Sequence, residues 1–238
     1  APDIAGGAVF PYLEAMANQA FGMVIGKGGA DTVTRAMLSS IASRGGTVTC
    51  NAWVEHLMIE QGRAVGIRLA DGSEHRAAKA VIANVAPKHL SAMIGETDPA
   101  CDPAYDKGLR SFRHAPGTLM MHLAMEELPA WSASDQLRDY AYVHLAPSLD
   151  QMARCYQQAQ AGLLPDEPVV VVGQPTAIDP SRAPAGKHTL WLQVRMVPGK
   201  ILGDAAGKIN ARDWQSAATP MAERALDIVE AYAPGTRS

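Results

Sequence analysis

The chain has 238 residues, enough for one large domain or two small ones. Hydrophobic residues make up 47% and charged residues 19%, the latter below the ~25% typical of soluble domains, so a core is available and disorder is excluded as the main state. Lys plus Arg number 21 against 24 Asp plus Glu, a net charge of −3 that argues against nucleic acid as a partner.

The first clear element follows Gly26. Asp31 can cap a helix in which Val33, Met37, Leu38 and Ile41 recur at helical spacing, and Gly45-Gly46 ends it, predicting a helix over 31–44. Short strands are expected over 47–50 and 53–60, with a turn at Gln61-Gly62-Arg63. Val65, Ile67 and Leu69 then alternate with smaller or polar residues, the period of a half-buried strand. Asp71-Gly72 supplies a turn, and 73–76 and 79–83 are read as the return of a β-meander that ends at Asn84.

Beyond Pro87 the reading is of strands at 118–125, 140–145, 168–173 and 189–197, each rich in β-branched, aromatic or Met residues and flanked by Pro or Gly. Between the second and third, Ser148 and Gln151 form a capping-box pair ahead of a Leu149, Met152, Tyr156, Ala159 stripe that stops at Gly162. A last helix is predicted over 219–232, with Pro220 in its first turn. The fold class is therefore α+β: an antiparallel or mixed β-sheet flanked by helices, plus the meander. Residues 1–86 form a helical lead-in with the meander, and 87–238 a second domain.

Most chemical motifs fail on spacing. In IGKGGAD the third glycine of a GxGxxG would fall at Asp31, and Gly28 stands where the nucleotide loop GxxxxGK[ST] needs a hydroxyl, so a plain turn into the helix is the preferred reading over a phosphate site. Cys50, Cys101 and Cys155 are an odd number with no CxxC, which suits neither a disulfide framework nor zinc. His114, His122, His144 and His188 fall on or beside strands, but HExxH and GxSxG are absent, and no metal is expected. Glu126-Glu127 would point to opposite faces of a strand and is read as a solvated strand end. Met120, Met121, Met125, Met152 and Met196 suit an ordinary core, or an adaptable apolar cavity. No apolar run approaches the ~20 residues of a membrane helix, and the N-terminus carries no basic leader, which makes a reducing cytoplasm the expected location.

From GKGGADTVTRAMLSSIASRGGTVTCNAWVEHLMIEQGRAVGIRLADGSEHRAAKAVIANVAPKHL, through YVHLAPSLDQMARCYQQAQAGLLPDEPVVVVGQPTAIDPSRAPAGKHTLWLQVRMVP, to DIVEAYAPG, the chain resembles the phytoene desaturase and carotenoid-isomerase-like group of FAD-dependent oxidoreductases. It looks closest to the branch described as phytoene dehydrogenase-related or pyridine nucleotide-disulfide oxidoreductase-like. The resemblance implies the substrate domain of a FAD-linked reductase-type flavoprotein, with a meander that abuts the FAD domain. Such proteins open on GxGxxG and close on another Gly-rich flavin segment; neither is present here, so the chain is expected to be an internal fragment that binds no FAD alone and is inactive alone.

The same resemblance implies roles for particular residues. Val54 matches a position whose backbone lies against the adenine, and Ala83 and Asn84 match the turn returning the chain to the cofactor. Lys27, Gly28 and Gly29 match a turn at the flavin end of the substrate cavity, where missing side chains permit close approach. The parent chemistry is hydride transfer from a small apolar substrate, polyene or lipid-like, to FAD, and no residue is selected as a general base. Implied partners are that substrate and the FAD-binding portion of the same protein. A stand-alone apolar-ligand module is the alternative, and a homo-oligomer through exposed sheet edges stays open.

Overall fold

The computed structural model describes residues 7–95 and 102–237; Cys101 lies outside them. In chain order the first elements are α1 (Val9–Phe21), α2 (Asp31–Ala42), β1 (Val54–Glu60), β2 (Arg63–Leu69), β3 (Glu74–Arg76), α3 (Pro87–Ile94) and α4 (Pro103–Arg110). Then come β4 (Gly117–Met125), β5 (Tyr142–Leu145), α5 (Leu149–Gln160), β6 (Leu163–Leu164), β7 (Val169–Gly173), β8 (His188–Val197), β9 (Gly203–Asp204) and α6 (Trp214–Tyr232). The chain divides into two compact units, one formed by the residues up to Met37 together with those from Pro116 onward, the other by Leu38–Ala115. The α+β class read from the sequence is the class observed.

In the smaller unit, β1, β2 and β3 form an antiparallel meander with Leu57 opposite Ile67 and Ile67 opposite His75. The expected strand over 79–83 is not formed. Ala77 N–H still bonds the Val65 carbonyl at 2.8 Å, after which the chain leaves the ladder with Ile82 almost wholly exposed. The segment 47–50 is likewise irregular and exposed, and among the described residues no strand pairs with it. Pro87 opens α3 in the first helical turn, where its missing N–H costs no hydrogen bond.

The larger unit is built on a four-stranded antiparallel sheet in the order β4-β8-β7-β5. Strand period two gives it two faces. On the inner face Leu119, Met121 and Leu123 of β4 stand opposite Val194, Leu192 and Leu190 of β8; Val170 and Val172 of β7 continue the rows to Leu145 and Val143 of β5. Against this face packs α6, burying Ala217, Met221, Ala225 and Val229, spaced four apart on one helical stripe. β7 reads VVVVG with every residue buried, as expected of a central strand covered on both sides.

α6 starts five residues before the expected position. Asp213 is its cap, accepting from Ser216 N–H at 2.8 Å, and Pro220 sits inside the helix. The proline forfeits one helical hydrogen bond, but Trp214, anchored by its Nε1–H to the Pro198 carbonyl, and buried Ala217 hold the earlier turns in place. Replacing the cap by alanine (Asp213→Ala) lowers stability by about 1 kcal/mol, to be read as a shift in the urea midpoint at constant slope.

At α5 only half of the capping box forms: Ser148 Oγ accepts from Gln151 N–H at 3.1 Å, while the Gln151 side chain donates to the Glu167 carbonyl instead. A parallel β6-β9 pair completes the unit. It is tied to α6 by a bidentate pair, Arg224 Nη1 and Nη2 to Asp204 Oδ1 and Oδ2, both 2.8 Å, with the carboxylate also accepting from Lys208 and Ile209 N–H.

Candidate functional site

The outer face of the four-stranded sheet has a different chemistry from the inner one. Ladder register aligns Tyr142, Gly173, Trp191 and His122 in one row across all four strands, and His144, Val171, Gln193 and Met120 in the next. α5 packs on β7 and β8. On this face Trp191 and Tyr142 are half-buried, and His122, Met120 and His144 are exposed. Gly173 makes the aromatic row possible. A Cβ built on it would fall 1.9 Å from Trp191 Cε2 and 2.3 Å from Cζ2, so the indole rests directly on the glycine backbone. Tyr142 meets the same indole at 5.3 Å between ring centroids, tilted by 52°. The result is a flat aromatic shelf beside a flexible thioether, with Arg195 donating to Gln193 Oε1 at the far side.

Partial burial of the ring, and then the nearby Arg195 charge, lower the pKa of His144, which favours the neutral imidazole, able to accept a hydrogen bond. His188 is engaged with Thr176 Oγ1 through Nδ1, and His114 packs edge-on to Phe112. Among the described residues no group of His, Cys, Asp or Glu is arranged to hold a metal. Glu126 pairs with Lys187. Cys155 is a buried free thiol, its pKa raised mainly by burial, and Cys50 is free and exposed.

The turn at Lys27, Gly28 and Gly29 sits in the same unit as the sheet. Gly28 and Gly29 both have positive φ, 85° and 114°, which places a backbone N–H where an anion is welcome ahead of α2. The protein supplies that anion itself. Asp179, only 5% exposed, accepts from Gly28 N–H at 2.7 Å through Oδ2. Its Oδ1 takes Ser181 Oγ–H at 2.6 Å and Ser181 N–H at 3.3 Å, and Arg182 Nε–H reaches Oδ2 at 3.2 Å. Arg182 Nη2 closes the clasp on the Gly26 carbonyl at 2.7 Å. The Ser181 hydroxyl, then Gly28 N–H, hold the carboxyl down to about 2 against the opposing effect of burial, with Arg182 and Ser181 N–H adding to them.

Val54 opens β1 in the other unit and lines a cavity of about 500 Å³ with Ala52, Trp53, Val85, His89 and Met93. Ala83 and Asn84 immediately precede Val85, in exposed coil, and do not line it. The sequence reading did not reach Trp191, Gly173, Tyr142 and Asp179. The signal for the first three was Gly and Trp on neighbouring predicted strands, which becomes a contact only once the register is known.

No family model matches the chain. Among curated proteins it is 28% identical over 224 residues to the 4,4'-diapophytoene desaturase (4,4'-diapolycopene-forming) of a Methylomonas species, covering 94% of this chain and 39% of that protein. It is 24% identical over 219 residues to mouse pyridine nucleotide-disulfide oxidoreductase domain-containing protein 2, and 24% identical over 215 residues to the phytoene desaturase (neurosporene-forming) of Cereibacter sphaeroides. These matches cover 88% and 90% of the chain. The resemblance to the phytoene desaturase group holds. The chain spans 36% to 39% of the length of these curated relatives. In fold it is similar to an oxidoreductase from Methanosarcina mazei, with a TM-score of 0.64 at 23% identity over 96% of this chain and 44% of that one. No helix among the described residues is long and apolar enough to cross a membrane.

Proposed function

We propose that this chain forms the substrate-binding portion of a FAD-dependent oxidoreductase that dehydrogenates an extended apolar molecule of polyene or isoprenoid type. The observation that carries the reading is the outer sheet face that presents half-buried Trp191 and Tyr142 beside exposed Met120, in a chain similar over 94% of its length to a diapophytoene desaturase. An indole held flat by Gly173 offers a planar apolar surface to a conjugated chain, and Met120 follows its contour. His144, with its neutral form favoured, and the Gln193 amide border the shelf, and the Arg195 charge is held beyond them by Gln193. Lys27, Gly28 and Gly29 belong to the substrate wall in this reading. In the same reading residues 1–86 are the lead-in and meander that abut the FAD-binding portion, with the Lys27–Gly29 turn at the flavin end of the substrate cavity, and residues 87–238 are the substrate-binding part.

FAD, when bound, supplies the hydride acceptor. The described residues fit it in part. The cavity at Val54 is mainly apolar, with Glu55, His56 and His89 also on its wall, and is large enough for an aromatic ring, which supports the reading of Val54 at the adenine end; Ala83 and Asn84 stand outside its lining and rest on the resemblance alone. The glycine turn does not fit the diphosphate, because Asp179 already fills its anion position and would repel a second one.

The purified chain mixed with FAD and diapophytoene is expected to bind the isoprenoid, seen as quenching of tryptophan emission, without stoichiometric flavin and without turnover. Fused to the flavin-binding portions of the Methylomonas relative, it should bleach flavin anaerobically while longer-wavelength polyene absorption grows. A chain that ignores the isoprenoid contradicts the proposal; one that binds it while the fused flavin stays oxidised points to a binding module.

A further inference from the structure

The clasp around Asp179 has no counterpart in the hydride chemistry just described, yet it joins two parts of the unit that lie 151 residues apart in sequence. One side is the Gly26–Gly29 turn. The other is the β7–β8 connection, which begins directly after Gly173, the residue beneath Trp191. That connection is itself braced: Asp179 N–H bonds the Pro175 carbonyl at 2.9 Å, Thr176 Oγ1 bonds His188 Nδ1 at 3.0 Å, and both of its short 3-10 turns (Pro175–Ala177 and Pro180–Arg182) touch β8. Lys27 lies between the two anchored points, the Gly26 carbonyl held by Arg182 and the Gly28 N–H held by Asp179. A glycine turn of this kind has broad conformational freedom unless something outside it fixes the peptide planes.

We infer that Asp179 is a positioning residue: its carboxylate is the resident anion of the Gly26–Gly29 turn and, with Arg182, locks that turn to the β7–β8 connection so that the two form one wall beside the Trp191 shelf. The ligand-site part of this inference rests on the proposed function above; the clasp itself does not. Two physical features distinguish the arrangement from a routine surface ion pair. The carboxylate is nearly inaccessible and takes its bonds from two backbone N–H groups, a hydroxyl and a guanidinium, so little of it is free to relax. Removing it also leaves an anion-shaped vacancy bounded by Gly28 N–H and Arg182, which a small carboxylate from solution can refill.

The test uses the whole chain and two readouts. Amide hydrogen exchange at Gly28 is followed by NMR, and binding of all-trans-parinaric acid, a conjugated tetraene, is followed by energy transfer from tryptophan. In Asp179→Ala, Gly28 protection should fall at least about tenfold and parinarate affinity by a similar factor, while amides of β7 and β8 keep theirs. Acetate or formate, but not chloride at the same ionic strength, should restore both. Arg182→Ala serves as the second variant should Asp179→Ala fold poorly, with Asp179 still in place and a smaller loss at Gly28. Unchanged Gly28 exchange in both variants overturns the clasp. Lost protection with unchanged parinarate affinity overturns the positioning role, leaving a structural tie alone. Failure of the parental chain to bind parinarate, with Gly28 responding as expected, overturns the ligand-site reading and the wall with it, but leaves the clasp established.

Discussion

Arg224→Met should destabilise the protein by about 3–5 kcal/mol, measured by urea unfolding at neutral pH, because it strands the Asp204 carboxylate, whose side chain is 1% exposed. In the parent, burial by itself would raise the Asp204 pKa, but the Arg224 hydrogen bonds, the N–H groups of Ile209 and Lys208 and the Arg224 charge together bring it down to about 2. A depressed carboxyl pKa contributes stability that is present above the unfolded value near ~3.9 and is lost as pH falls through the folded value. Asp204 should therefore contribute to acid unfolding of the parent between about pH 4 and pH 2. In Arg224→Met both Arg224 contributions vanish while burial, which raises the pKa, and the Ile209 and Lys208 N–H groups, which lower it, remain, so the Asp204 pKa rises from its parental value and its contribution to acid unfolding shrinks. Adding Asp204→Asn should recover most of the lost stability at neutral pH. The amide oxygen still accepts from Lys208 and Ile209, and no buried charge remains. A double variant as unstable as the single one would show that Arg224 acts through packing and not through the pair.

The second large effect is at Gly173. Valine there places a Cβ inside the Trp191 indole, and either the ring leaves or β7 shifts, at a cost of about 1–3 kcal/mol. The near-UV circular dichroism that arises from the Tyr142–Trp191 contact should collapse. Trp191→Ala removes the obstacle, so the double variant Gly173→Val, Trp191→Ala should lose little beyond Trp191→Ala alone, a coupling read directly from the double-mutant cycle. Polyene binding should suffer in both single variants, because each removes the flat surface, one by deletion and one by displacement.

What the sequence revealed and what it concealed follow from how local each signal is. Alternation in Val65, Ile67 and Leu69, the Ser148 cap and the VVVV run at β7 are written within a few residues, and those elements appear where expected. The sequence suggests a return strand over 79–83, but a strand needs a neighbour, and among the described residues none pairs with the chain beyond Ala77. Pro220 suggests the first turn of a helix because proline favours that position; the cap at Asp213 and the burial of Ala217 outweigh that preference. The glycine turn was legible as a turn, whereas its fixing anion, Asp179, lies on a distant segment. The shelf is less legible still. Tyr142, Gly173, Trp191 and His122 become one row only through three strand registers, and a slip of one residue would turn them to the other face.

The most direct measurement is a methyl spectrum of the chain labelled at methionine, titrated with a soluble conjugated polyene and assigned through Met120→Leu and Met221→Leu. Met120 stands on the outer face beside the shelf, and Met221 is sealed between α6 and the inner face. A shift of Met120 that saturates and disappears in Trp191→Ala, with Met221 unmoved, is the predicted result. Perturbation of Met221 with Met120 silent, or saturation at Met120 that is indifferent to Trp191, would contradict an apolar ligand lying on this sheet.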